Sequence, residues 1–388
     1  GDGVDLVGPV RLLGGEMFNL PAFRIGTLFG IPLEVNASWF LIFFLVAASL
    51  TTSYLPAALP GRGTVVYVAL AMVTSIAFFG SIVIHEFAHS IVARAGGLRI
   101  SKITLFAFGG VSQMDEEPRG PRQEFLMATA GPAMSLVLGG AGLLTLSVLG
   151  KNASPLILVP LNYLAFINFS VAIFNLLPGF PLDGGRVLRS ILWAITGDVL
   201  KATRWASRAG QAIGYLLVSI AVLGVLRGTL DLIWFAVIGW FLASLAAVAY
   251  QQQVVRTRLS NVPLSSVMSS PVTTVPGDTT LEEMAHSYFL GGRHSRYPVV
   301  DGGHVIGLVE LQSARDVPRA RWADVTVAEV CTRDLAEVVA TPDTSVDHVL
   351  ARLEPSGPGA VLVVEDGRLA GIVTRADVIR LLRSQTPE

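Results

Sequence analysis

Long apolar runs constrain this chain more than any other feature. A helix needs about 20 apolar residues to cross the hydrocarbon core of a bilayer. Six segments reach that length, roughly 38–56, 66–93, 123–149, 156–176, 209–226 and 231–249. In lipid every backbone polar group must be satisfied internally, so runs of this kind are read as helices. Composition agrees, since 52% of the 388 residues are hydrophobic and only 15% are charged, against about 25% charged in a soluble domain. The formal net charge of -1 argues against a nucleic-acid partner. Cys331 is the single cysteine, which excludes a disulfide framework and a cysteine-rich zinc site.

Lys and Arg mark the cytoplasmic side of a membrane protein. One set of connections carries most of them, from Arg24, Arg94 and Arg99 to Arg256 and Arg258, whereas the other carries only Arg62, Lys151 and Arg227. The bias predicts a multi-pass protein of the cell membrane with both termini and the tail in the cytoplasm. RVLRSILWAITGDVLKATRW, 186–205, is amphipathic and predicts a helix lying at the membrane surface. The stretch 98–117 alternates polar and apolar residues around Gly109-Gly110 and predicts a β-hairpin, and 24–35 carries a similar short pattern. Residues 1–16 are Gly-rich and irregular, with no cleavable signal pattern; Met17 is a candidate start. The tail contains a repeat, in which YPVVDGGHVIGLV (297–309) matches VLVVEDGRLAGIV (361–373). Each copy reads as strands and helices around a tight turn, and two copies make one α/β module.

The second apolar run contains His85, Glu86 and His89. Ionisable groups at membrane depth cost several kcal/mol each unless paired. On a helix, residues four apart share a face, so His85 and His89 can hold one metal ion. Glu86 lies about 100° round the helix, where it can touch a water but not share the ion. This is the H-E-x-x-H arrangement, two zinc-binding imidazoles and a general base. A zinc site needs a third ligand. Pro178, Gly179 and Pro181 break the chain after the fourth run, and Asp183 follows. Broken backbone at membrane depth is tolerated against protein or a wet cavity, so this segment is expected to deliver the Asp183 carboxylate. His85 is nine residues from Arg94, about 13 Å along a helix, which sets the metal inside the bilayer toward its cytoplasmic face. Such a zinc lowers the pKa of water toward about 7. Glu86 can take the water's proton and give it to a leaving amine, and the Asn175 side-chain amide can donate to the oxyanion.

Together these residues resemble the site-2 protease family of intramembrane zinc metallopeptidases. HEFAH (85–89) is similar to the family's H-E-x-x-H, and FNLLPGFPLDGG (174–185) to its F-N-x-x-P-x-x-P-L-D-G-G. The glycine pair of LFAFGG (105–110) and the AGP of 130–132 also look like family features. The resemblance implies His85, His89 and Asp183 as ligands of one Zn2+ per chain, Glu86 as catalytic base and Asn175 as a catalytic helper. It also implies regulated intramembrane proteolysis. The substrate would be a single-span membrane protein such as an anti-sigma factor or tethered transcription factor, cut in or near its transmembrane segment after another protease has trimmed it.

The tail resembles a pair of cystathionine-β-synthase (CBS) domains, which commonly bind adenine nucleotides. Gly371, Thr374 and Asp377 in the second copy are similar to the nucleotide signature, with Thr374 toward phosphate and Asp377 toward ribose. Glu310 and Ser313 hold the matching positions of the first copy, where a glutamate repels phosphate. ATP or AMP is thus the expected regulatory ligand, and the CBS pair a route to a homodimer. The expected architecture is a polytopic α-helical membrane protein with short membrane-associated β-hairpins, followed by an α/β tandem CBS domain. Its expected parts are an N-terminal extension (1–16), a transmembrane metalloprotease domain (17–253), a linker (254–263) and the CBS domain (264–388, copies 264–316 and 327–383). An alternative reading is a CBS-regulated divalent-cation transporter or channel, with His85, Glu86, His89 and Asp183 lining the cation path.

Overall fold

The computed structural model describes residues 22–106, 109–114, 118–150, 153–289, 296–332, 335–353 and 358–384. The extension 1–16 lies outside them. The chain forms two compact units, one over Phe18–Gln253 and one over Val254–Glu388.

The first unit begins with two strands, β1 (Ala22–Leu28) and β2 (Ile31–Asn36). Phe29 (φ 50°) and Gly30 (φ 79°) make the turn between them, a pair of left-handed residues of the kind that two-residue hairpins require. The Asn36 side chain then accepts from the Ser38 amide at 2.9 Å and starts α1 (Ala37–Ala58). Next come α2 (Thr64–Ala95), the hairpin β3 (Ile100–Phe106) and β4 (Gly109–Met114), α3 (Pro121–Leu149) and α4 (Pro155–Asn175). After a turn come α5 (Asp183–Thr196), α6 (Val199–Leu226) and α7 (Ile233–Leu259). All but α5 belong to the six helices that, among the described residues, are long and apolar enough to cross a membrane. Leu41, Val65, Leu144, Phe166 and Leu226 point outward on them, as lipid contact demands.

The two hairpins form one sheet in the order β1-β2-β3-β4. β2 and β3 pair in parallel, which requires a crossover connection, supplied here by α1 and α2. β4 is left as an edge strand on the side of the sheet that packs on α2.

The expected single surface helix over 186–205 is two helices. Gly197, at φ 67°, closes α5, and the Asp198 carboxylate accepts from the Lys201 amide at 3.0 Å to open α6. A left-handed glycine and an acidic N-cap are the standard stop and start signals, and here they outweigh the amphipathic period that runs through them.

The second unit contains two three-stranded sheets of the same plan. β5 (Val275–Pro276) is parallel to β6 (Arg296–Asp301), which is antiparallel to β7 (His304–Glu310). β8 (Val339–Ala340), β9 (Ala360–Glu365) and β10 (Arg368–Thr374) repeat this, and α8 (Arg375–Ser384) follows. Residues expected to form a linker are helical as far as Leu259. Val255 and Leu259, both in the second unit, are fully buried among Val361, Val363, Val373 and Val378.

Candidate metal centre

His85 and His89 lie one turn apart on α2, and Asp183 is the first residue of α5. The chain reaches Asp183 through a tight turn anchored by the Phe180 amide, which donates to the Ala206 carbonyl at 3.2 Å. His85 Nε2, His89 Nε2 and Asp183 Oδ2 then form a triangle with all three sides 3.3 Å. A tetrahedral ion with bonds of about 2.0–2.1 Å sets its ligand atoms about 3.3–3.4 Å apart, whereas octahedral magnesium at a similar bond length sets neighbours about 2.9 Å apart. The donors and their spacing fit zinc.

The rings are held from behind. His89 Nδ1–H donates to the Met127 carbonyl at 2.7 Å, and His85 Nδ1 lies 2.8 Å from Ser135 Oγ. A carbonyl can only accept, so the His89 proton sits on Nδ1 and the Nε2 lone pair faces the triangle. Second contacts of this kind fix the orientation and tautomer of metal-binding histidines. Both partners belong to α3, as does Gly131. An ideal Cβ at Gly131 would overlap His89 Nε2 and lie 2.5 Å from His85 Nε2. Only glycine leaves this space open.

Glu86 is half-buried and lines the same cavity as His89, Asp183 and Arg186. Gly110 of β4 presses on it, since an ideal Cβ there would overlap Glu86 Cγ. The structure thus brings His85, Glu86, His89 and Asp183 together. Asn175 is the last residue of α4, half-buried, and is not in the cavity lining.

Sequence reasoning missed the parts that hold the centre. Ser135, the Met127 carbonyl and Arg186 were not singled out, and Gly131 entered only through the AGP resemblance. It also missed a buried ion pair. The Glu124 side chain on α3 is fully buried and accepts from Arg189 Nε of α5 at 2.6 Å, with Arg189 Nη2 also against it. Arg189 Nη1 donates to Gln253 Oε1 at 3.3 Å, and its guanidinium lies 5.4 Å from the centre of the Phe180 ring.

In the second unit, Thr374 ends β10 and contacts Asp377, whereas Gly371 lies in the middle of that strand against Met268. Asp377 is buried, and its carboxylate accepts from the Thr374 amide (2.9 Å), the Thr374 hydroxyl (2.6 Å) and the Ser269 hydroxyl (2.9 Å). Glu310 is not a bare charge, because Arg296 Nε pairs with it at 3.2 Å. Arg296 in turn packs against Gly359, ahead of β9.

The fold and donor set define a membrane-embedded metallopeptidase with an α/β tail. The Peptidase family M50 sequence model matches residues 73–151 and 141–220, and the CBS domain model matches 264–317 and 327–384. The putative zinc metalloprotease Rip3 of Mycobacterium tuberculosis is 34% identical over 365 residues, 93% of each chain. A putative zinc metalloprotease of Synechocystis is 35% identical over 382 residues, 96% of this chain and 98% of that one. Among solved structures, the site-2 protease of Methanocaldococcus jannaschii aligns with 29% identity and a TM-score of 0.41, over 59% of this chain and 95% of that one. The chain belongs to peptidase family M50, the site-2 proteases. It is a zinc metalloprotease with a C-terminal CBS pair.

Proposed function

We propose that the chain hydrolyses peptide bonds in or near the transmembrane segments of single-span regulatory membrane proteins, such as anti-sigma factors or tethered transcription factors. His85, His89 and Asp183 hold the zinc, and Glu86 is the general base. The observation that carries this reading is the 3.3 Å triangle of Nε2, Nε2 and Oδ2 atoms with Glu86 in the same cavity. When bound, zinc polarises the carbonyl and acidifies water. The protein's residues do the rest. Ser135 and Met127 keep both Nε2 atoms pointed at one place, and Glu86 moves the proton from the attacking water to the leaving amine. The helix of a substrate must unwind before its carbonyls are accessible, and the free edge of β4 beside Glu86 suits an extended chain pairing by backbone hydrogen bonds. Asn175 enters as a helper through its side-chain amide, which can donate to the oxyanion, and through the family resemblance.

The arginine-rich connections support an orientation with both termini and the tail in the cytoplasm. The tail is read as a regulatory module that takes ATP or AMP at Gly371, Thr374 and Asp377 of the second copy and can pair two chains.

Glu86→Gln should keep one zinc per chain and lower cleavage by several orders of magnitude, whereas Asp183→Ala should lose zinc. Metal analysis of purified protein reads the first quantity. Comparison of the membrane proteomes of cells making wild type or Glu86→Gln reads the second, as proteins left uncut. Turnover near the wild-type rate in Glu86→Gln removes the base assignment, and unchanged zinc in Asp183→Ala removes the third ligand.

A further inference from the structure

Adding a water oxygen to a peptide carbonyl moves the carbonyl π pair onto oxygen. A donor aimed at that anion is worth about 10²–10³ in rate. The side-chain donors that line the cavity are His89, Ser90, Ser112 and Arg186. Three of them are occupied. His89 donates from Nδ1 to the Met127 carbonyl, and its Nε2 belongs to the ligand triangle. The Ser90 hydroxyl donates to the Glu86 carbonyl at 3.1 Å and lies 3.0 Å from Ser112 Oγ, so Ser112 donates to Ser90. Arg186 alone of the four has no hydrogen-bond or ion-pair partner among the described residues.

Its placement follows from α5. Arg186 is three residues after Asp183, and side chains at that spacing share a helix face. Both line the cavity, as does Glu86 from the opposing helix. The guanidinium presents a planar fork of donors. It is half-buried, so its field is less screened than at a surface.

We propose that Arg186 is a catalytic residue whose guanidinium donates to the scissile carbonyl oxygen as that oxygen becomes anionic. The proposal rests on the peptidase reading above. Glu86 takes a proton from water as the water oxygen bonds to the carbonyl carbon, and the displaced π pair becomes the oxyanion facing Arg186. Collapse re-forms the carbonyl and breaks the C–N bond, and Glu86 returns the proton to the amine. Arg186 keeps its protons throughout. A residue that only balanced the charges of Glu86 and Asp183 would respond differently to the following test.

Two C-amidated peptides with the same side chains serve as probes. A phosphinic peptide presents a tetrahedral centre with an anionic oxygen, and a hydroxyethylene peptide presents a neutral carbinol. Calorimetry on zinc-loaded, full-length protein compares wild type, Arg186→Met and Arg186→Lys. Arg186→Met should lose about 100-fold in affinity for the phosphinic peptide and less than about threefold for the other, with zinc still at one per chain. Arg186→Lys should recover part of the loss, because charge persists without the planar fork. Added guanidinium ion should restore phosphinic binding to Arg186→Met. Equal losses for the two peptides, no loss for either, or loss of zinc in Arg186→Met each overturn the proposal. Wild-type protein that binds zinc but neither peptide counts against the peptidase reading itself, and the proposal falls with it.

Discussion

Replacing Gly131 by alanine tests the metal centre with one methyl group. The added Cβ would overlap His89 Nε2, lie 2.5 Å from His85 Nε2 and stand 2.6 Å from His89 Cε1. It would therefore occupy the place where the two imidazole lone pairs converge. Relief requires both rings to turn, and neither is free to do so. His85 would leave Ser135 (2.8 Å) and His89 would leave the Met127 carbonyl (2.7 Å). Each such supporting contact is typically worth 10- to 100-fold in metal affinity. Losing both lowers zinc affinity by about 10²–10⁴, or roughly 3–6 kcal/mol at 1.4 kcal/mol per decade. The helix itself should gain slightly, since alanine is favoured over glycine in a helix interior by about 1 kcal/mol. Competition titration against a chromophoric chelator reads the affinity, and thermal unfolding of the metal-free protein reads the fold. Gly140→Ala is the control, because on the same helix its Cβ meets nothing within 4 Å. Zinc affinity within threefold of wild type in Gly131→Ala would refute the reasoning.

Two other perturbations follow from the same contacts. Glu124→Ala leaves Arg189 buried without its carboxylate, which should cost about 3–5 kcal/mol in unfolding measured in detergent. The Glu124→Leu, Arg189→Met double variant should cost less than either charge removal alone, and single variants within about 1 kcal/mol of wild type would show that the pair does not join α3 to α5. In the tail, Asp377→Ala should weaken AMP or ATP binding by about 10- to 100-fold, the loss expected for hydrogen bonds to a charged group, and Ser313→Ala should change it little. Calorimetry that finds no nucleotide bound to wild type at millimolar concentration removes the regulatory reading.

The spans and the His85–His89 pair were legible because each rests on a fixed period. A bilayer sets the length of an apolar helix, and a helical turn sets which residues meet. Asp183 was legible as a carboxylate in broken backbone between apolar runs. What escaped depends on which helices pack together. The Met127 carbonyl has no sequence signature as a hydrogen-bond partner, and Ser135 matters only because α3 lies behind α2. Gly131 reads as one small residue among many until its Cβ is placed against the imidazoles. The β2–β3 pairing joins strands separated by two membrane helices, beyond the reach of local alternation. Arg186 and Arg189 fall in the basic amphipathic stretch 186–205, where a basic residue near an interface serves orientation equally well whether it points outward or in. The split at Gly197-Asp198 was present in the sequence as a stop and a start, but the amphipathic period hid it.

The three donor atoms of the proposed site come from two helices, and neither helix alone can form the triangle. α2 supplies both histidines, and α3 fixes both rings through Ser135 and Met127. Asp183 arrives on α5, after a stretch of broken backbone that cannot define its position by itself. The Glu124–Arg189 pair joins α5 to α3, so the carboxylate and the imidazoles are referred to one helix. Burying that pair is costly, and a well-packed apolar substitute can be equally stable. Stability is therefore a weak reason for its presence at the core of a membrane domain. Register is a stronger one. Sliding α5 by one residue would displace Arg189 from Glu124 and Asp183 from the histidines together, so the alignment that satisfies the ion pair also brings the carboxylate to the two imidazoles.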